Sequence, residues 1–211
     1  MDINKETVIY GSFSLNAGNN GNIFFKKLFN YYNINAIYKS FSINNIKDAV
    51  NAAKCLNFGG FAISMPFKKE VIKCVDNISE EVKEIGACNT VVNREGKLVA
   101  HNTDYLGVKS IISNYNDIII LGNGGMAFAA KYAAEKLNIN YDIIKRDNWD
   151  DIKKLKDKII LNCTPVNKIE MDKSNIFLDC LVNTDSGKMI YKIQAREQFY
   201  LYTGIRTIID L

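Results

Sequence analysis

Apolar positions change their spacing repeatedly along this chain, and the changes mark its elements. Period-two alternation or short continuous apolar runs fall at Thr7–Phe13, Ala36–Ser42, Gly60–Met65, Thr90–Asn93, Leu98–Asn102, Asp117–Leu121, Tyr141–Lys145, Lys158–Asn162 and Ile176–Cys180. These predict strands. Helical spacing occupies the intervals near 22–32, 44–56, 67–75, 79–85, 105–113, 125–137, 149–155 and 187–202. Strands alternating with helices predict βαβ units and a mainly parallel sheet. The Asn93-Arg-Glu-Gly96 stretch instead predicts a hairpin turn between two short strands.

The stretch Asp117-Ile-Ile-Ile-Leu-Gly-Asn-Gly-Gly-Met-Ala-Phe-Ala-Ala carries the sharpest signal. Three consecutive isoleucines suit a strand buried on both faces. Gly122, Gly124 and Gly125 permit a tight turn and let a pyrophosphate approach the backbone, with Asn123, Met126 and Ala127 completing the loop and first helical turn. The free N–H groups and positive dipole end of the helix favour phosphates. The glycines follow a predicted strand and open a predicted helix, which is the context a dinucleotide site requires. About 20 residues on, where NAD enzymes place an acidic residue, stand Lys145 and Arg146. A basic pair there suits a 2′-phosphate, so the expected cofactor is NADP(H). Asp147 next door offers Arg146 a competing partner.

The glycine loop falls near mid-chain, so the first hundred residues are outside the nucleotide unit. The expected architecture is α/β: a substrate domain over 1–103, a reduced Rossmann-type dinucleotide-binding domain over 104–186, a cleft between them, and a C-terminal helix over 187–211 returning to the first domain. A length of 211 residues accommodates this.

Composition narrows the function. Hydrophobic residues at 47% and charged residues at 24% are ordinary for a core-forming protein. The net charge of +4 is mild and the lysines are dispersed, which argues against a nucleic-acid face. No apolar run approaches the roughly 18 residues a membrane helix needs. The first twenty residues lack the layout of a secretory leader, making the cytoplasm the default location. Five cysteines, never spaced C-x-x-C, argue against a disulfide framework or zinc site, and most are expected to be buried. The lone histidine, His101, excludes a histidine-rich metal cluster and reads as structural.

Three further stretches precede the glycine loop in order: Ser64-Met-Pro-Phe-Lys-Lys-Glu, Gly86-Ala-Cys-Asn-Thr-Val-Val and Asn102-Thr-Asp-Tyr-Leu-Gly. Together with Asn162-Cys-Thr-Pro-Val and the segment from Gln194 to Gly204, they resemble the shikimate dehydrogenase family, and the shikimate dehydrogenase-like subgroup most. The resemblance spans nearly the whole chain. It implies interconversion of 3-dehydroshikimate and shikimate with NADP, by a monomer or homodimer whose partner is a small molecule. It implies Lys68 as catalytic lysine and Asp104 as its partner. Asn89, Ser64 and Gln194 become substrate contacts, Arg146 the reader of the NADP phosphate, and Thr164 part of the cofactor site. The family's two carboxylate-gripping serines match Ser12 and Ser14 by spacing, while an ungapped count back from Tyr38 lands on Asn19 and Gly21.

The residue types suit that chemistry independently. Reducing a ketone with a hydride needs a proton donor at the carbonyl oxygen, and the reverse reaction needs the same group as base. Lys68, just after Pro66, falls in the expected first turn of a helix, where the dipole and partial burial would lower its pKa. Asp104 opens a helical stretch and could equally be its N-cap. The chain also departs from the family pattern. Only 11 residues, Asp147 to Asp157, join two expected parallel strands, and the strand ending at Cys180 runs almost directly into the last helix. A pared-down nucleotide domain follows, leaving open a quinate or amino-shikimate paralogue, or a metabolite sensor of low turnover.

Overall fold

The computed structural model describes residues 3–209 and separates into two compact units. One comprises residues up to Thr103 together with Ala195 onward; the other spans Asp104–Gln194.

Unit 1 is built on a six-stranded sheet of order β2-β1-β3-β5-β6-β4. Its strands are β1 (Val8–Ser14), β2 (Ala36–Ser42), β3 (Gly60–Ile63), β4 (Asn77–Ile78), β5 (Thr90–Arg94) and β6 (Lys97–His101). β1 is parallel to β2 and β3, while β5 runs antiparallel to β3 and β6. Helix α1 (Asn20–Tyr31) buries Phe24, Phe25, Leu28 and Phe29, a helical stripe. Phe29 meets Tyr10 on one face of β1. Helix α2 (Ile46–Cys55) starts where the Asn45 side chain accepts from the amides of Lys47 and Asp48, satisfying two orphan donors. Its Ile46, Val50 and Ala53 pack with Phe13 on the opposite face. A short α3 (Glu80–Ile85) follows β4. The expected hairpin forms between β5 and β6, with Glu95 and Gly96 both at positive φ, as a two-residue turn of this hand requires.

Unit 2 holds four parallel strands in the order β10-β9-β7-β8: β7 (Asp117–Leu121), β8 (Asn140–Ile144), β9 (Ile159–Asn162) and β10 (Ile176–Asp179). Ile118 and Ile120 face α4 (Asp104–Ile112) and α5 (Gly125–Lys136), whose buried alanines allow close approach to the sheet. Ile119 and Leu121 face the other way, against Ile144, Ile152 and Ile160. The alternation explains why β7 needs an apolar residue at every interior position. Gly107 of α4 meets α6 (Asp185–Thr203) so closely that an added Cβ would sit 2.6 Å from the Ile190 carbonyl oxygen.

Four expectations need correction. The helix at 67–75 is a 3-10 stretch of five residues, Glu70–Cys74, because β4 pairs with β6 immediately afterwards and pulls the chain into extended form. The helix at 149–155 is likewise 3-10, Arg146–Lys154, kinked at Asn148. Only residues 145–158 join β8 to β9, which leaves little length for a full α-helix. The last helix begins at Asp185, and its residues through Gln194 belong to unit 2. Only Cys88 of the five cysteines is fully buried.

Candidate active site

In open α/β sheets, ligands bind beyond the carboxyl ends of the strands, where strand order reverses. In unit 1 that point lies between β1 and β3. Phe13 pairs with Ile63, which sets Ser14 and Ser64 side by side just beyond the pairing. The Ser64 amide donates to the Phe13 carbonyl at 2.9 Å, and the Leu15 amide to the Met65 carbonyl at 3.1 Å. Ser14 is buried, Ser12 is half-buried mid-strand beside Ser40 and Ala62, and Ser64 is exposed. The alternative pair lies at the start of α1. Asn19 is exposed and accepts from the Asn22 side chain, and Gly21 is pressed against the Tyr38 ring, which an added Cβ would meet at 2.7 Å.

The same edge continues into β5. Asn89 is 1% exposed; its amide donates to the His101 carbonyl at 3.1 Å, and its carbonyl accepts from the Ile63 amide at 2.8 Å. Its side-chain oxygen accepts from the Thr103 amide at 2.8 Å and from the Thr90 hydroxyl at 2.8 Å, while its Nδ2 donates to Thr103 Oγ1 at 2.9 Å. Gln198 of α6 donates to Thr90 Oγ1 at 3.0 Å and is itself buried. Sequence reasoning missed Gln198; its place one helical turn after Gln194 was the available signal. Gln194 is half-buried and ends unit 2.

Lys68 sits in a run of turns between β3 and the 3-10 stretch, not in the first turn of a helix, so the dipole argument for it falls away. The loop is nonetheless fixed. Phe67 is buried in the core, its amide donates to the Ser64 carbonyl at 3.0 Å, and the Lys68 carbonyl accepts from the Cys88 amide at 2.7 Å. Lys68 is therefore held one residue from Asn89 across that bond, half-buried, with Lys69 exposed beside it. Asp104 follows Thr103 directly, opens α4 and is buried.

His101 lies on β6 with Nδ1 3.3 Å from Glu81 Oε1. Burial raises the Glu81 carboxyl, but hydrogen bonds from His101, Ser79 and the amides of Glu81 and Asn102 outweigh it and hold it at about 2. The pair anchors the strand end whose carbonyl receives Asn89.

In unit 2 the strand order reverses between β7 and β9. The glycine loop follows β7, and Thr164 lies just past β9. Gly122 has φ +115°, and an added Cβ there would lie 3.0 Å from Thr164 Cγ2. The Gly122 amide donates to the Ile144 carbonyl at 2.8 Å, tying the loop to the end of β8. Gly124 is extended and caps α5 without a side-chain bond, and a Cβ there would meet nothing within 4 Å. Open space above uncapped helical amides is what a pyrophosphate needs. Asn123 and Gly124 are exposed, Gly125 and Met126 half-buried, Ala127 buried. Lys145 and Arg146 are exposed immediately after β8, and the Lys145 amide donates to the Asn148 side chain at 2.7 Å. Among the described residues, no helix is long and apolar enough to cross a membrane, and no cluster of three metal-binding side chains occurs.

Residues 22–91 match the model of the shikimate dehydrogenase substrate binding domain. The chain is 39% identical to the shikimate dehydrogenase (NADP(+)) of Pyrococcus furiosus over 142 residues, 64% of this chain and 52% of that protein. It thus spans about half the length of that relative. Against the shikimate dehydrogenase-like protein of Haemophilus influenzae it is 28% identical, covering 97% of this chain and 93% of that one. The crystal structure of shikimate dehydrogenase from Aquifex aeolicus superposes with a TM-score of 0.84 at 25% identity, covering 98% and 96% of the two chains. With the ordered motifs and both strand reversals in place, the chain is similar to the shikimate dehydrogenase family over nearly its whole length.

Proposed function

We propose that this protein is an NADP-dependent oxidoreductase that interconverts 3-dehydroshikimate and shikimate. The observation that carries the reading is the polar edge at the β1/β3 reversal. Hydroxyls from Ser14 and Ser64, the Asn89 network and a half-buried lysine there suit a polyhydroxylated ring acid. The names of the relatives supply the substrate and the cofactor.

The roles follow from residue chemistry. The amides around Gly124 and Gly125 hold the pyrophosphate, and Arg146, with Lys145, holds the 2′-phosphate. When bound, NADPH supplies the hydride. Lys68 gives a proton to the carbonyl oxygen during reduction and takes it back during oxidation. Asp104 accepts a hydrogen bond from the reacting hydroxyl. Ser12 and Ser14 take the carboxylate; Asn89 and Gln194 take ring hydroxyls. Thr164 packs beside the glycine loop.

Initial rates with shikimate and with quinate, each with NADP+ and NAD+, test the proposal. Turnover should appear with shikimate and NADP+. Lys68→Ala should lower it by on the order of 10²–10⁴-fold, the usual worth of an acid–base group, with NADP(H) affinity little changed. Lys69→Ala should be nearly silent. Full turnover in Lys68→Ala would remove the lysine from its role. Cofactor binding without turnover on either acid would favour a sensor, the reading to which the short connections from β8 to β9 and from β10 to α6 lend weight.

A further inference from the structure

Cys163 and Cys180 lie 17 residues apart in sequence, yet their Sγ atoms are 3.7 Å apart. The register explains this. Asn162 pairs with Asp179 in adjacent parallel strands, and the two cysteines are the next residues on each. The Cys180 amide donates to the Asn162 carbonyl at 3.0 Å, so the pairing persists at the thiols. Adjacent strands are about 4.7–4.9 Å apart, inside the roughly 4.4–6.8 Å Cα range a disulfide spans. The sulfurs need to close by about 1.6 Å to reach bonding distance, which side-chain rotation and a small shift of the Cys163 backbone toward β10 together supply. Both residues are half-buried at the edge of the core.

We propose that Cys163 and Cys180 form a redox modification site, converted by hydroperoxides to an intramolecular disulfide that ties edge strand β10 to β9. The first thiolate attacks a peroxide oxygen, the O–O bond breaks, and a sulfenic acid and water result. The second thiol displaces the sulfenic hydroxyl as water, so two thiols and one hydrogen peroxide give one disulfide and two waters. The Cys180 sulfur beside it, with burial, holds the Cys163 thiol well above its usual range, which suits Cys163 to the resolving role.

The site has a route to the glycine loop. The Cys163 amide donates to the Leu121 carbonyl at 3.0 Å, and the next residue, Thr164, is the one packed against Gly122. Since β9 lies between β7 and β10, the bond draws Cys163 away from β7 and Thr164 off the loop. NADPH affinity should fall by on the order of fourfold, the equivalent of one buried methyl contact. This consequence rests on reading the glycine loop as the NADP(H) site; the disulfide itself does not.

The test treats the full chain with hydrogen peroxide, blocks residual thiols, and maps tryptic peptides without reductant. The expected product links residues 159–168 to 174–188 with the loss of two hydrogens. It disappears with dithiothreitol, and the NADPH Kd rises and recovers in step. Cys180→Ser should give no link and an NADPH Kd that peroxide leaves unchanged. Absence of the link, with either peptide oxidised singly or both unmodified, overturns the site. A complete link with unchanged Kd overturns its coupling to Gly122. A link in a protein that never bound NADPH supports the redox pair and strikes the cofactor reading instead.

Discussion

Two glycines of one loop should fail in opposite ways when given a methyl group. At Gly124 the backbone is extended, with φ −101° and ψ −174°, which any residue adopts. The added Cβ meets no atom of the protein within 4 Å. Gly124→Ala should therefore fold normally and gain about 0.4–1 kcal/mol of stability, by restricting the unfolded chain. The same methyl occupies the space through which a pyrophosphate would approach the helix amides. Losing one charge-assisted hydrogen bond costs about 1.5–3 kcal/mol, so NADPH affinity should fall roughly 10- to 100-fold.

Gly122 is the opposite case. Its φ of +115° is closed to side chains, and a Cβ there lies 3.0 Å from Thr164 Cγ2 and 3.4 Å from the Cys163 carbonyl oxygen. Backbone strain of about 1–3 kcal/mol, plus the overlap, puts Gly122→Ala at about 2–4 kcal/mol destabilising. Adding Thr164→Ser removes the obstructing methyl without relieving φ, so the double variant should recover only about 1 kcal/mol. Urea denaturation reads the stabilities, and fluorescence titration with NADPH reads the affinities. An unfolded Gly124→Ala, or a folded one binding NADPH as tightly as the parent, would refute the reasoning. So would a Gly122→Ala protein of unchanged stability.

Three further expectations follow from the same geometry. On the proposed reading of its exposed charge as the 2′-phosphate partner, Arg146→Ala should weaken NADPH binding by about 1.5–3 kcal/mol and leave NADH use nearly unchanged; equal loss of both cofactors in parallel titrations would assign it to the fold. Asn89→Ala should cost about 3–5 kcal/mol in urea denaturation, because the Thr103 amide and the Thr90 hydroxyl lose a buried acceptor together. Glu81 is held at about 2, below its ordinary value of 4.5, so its stabilisation is present above pH 4.5 and lost as pH falls toward 2. After discounting for solvent screening that contribution is about 1–2 kcal/mol, and Glu81→Gln should flatten the decline in stability between pH 5 and 2 when thermal unfolding is followed by circular dichroism.

The β7–loop–α5 unit was legible in the sequence because independent local rules agree there. The isoleucine run demands burial on both faces, the glycines demand a turn, and the alanines demand close helix packing. The loop bearing Lys68 was not legible in the same way. Phe67 and Val71 have helical spacing, and Glu70 suits a first turn, so local preference favours a helix. The Asn77–Ile78 pairing with β6 cuts it to 3-10, and that pairing is between residues more than twenty positions apart. Asn89 was read from a motif, but its partners were not. Thr103 and Gln198 reach it through a strand register and a returning helix, which no local pattern encodes. The Cys163–Cys180 contact was hidden for the same reason: only the β9–β10 register brings the residues together, and scattered spacing in sequence says nothing of it.

The two units place their candidate groups by one rule with different chemistry. In unit 1 the chain runs from β1 out to β2 and returns past β1 to β3, so no connection covers the β1/β3 gap at the carboxyl ends. In unit 2 it runs from β7 to β8 and back past β7 to β9, leaving the β7/β9 gap open in the same way. What stands at each gap then decides what can bind. Ser14, Ser64, Asn89 and a half-buried lysine offer hydroxyls, an amide and one mobile proton, which suit a neutral ring bearing oxygens and a carboxylate. Gly122, Gly124 and Gly125 offer no side chains, only backbone N–H groups and a helix dipole, which suit phosphate oxygens and little else. The candidate groups therefore stand at strand ends beside the two reversals, on scaffolds whose apolar pattern is set largely apart from them.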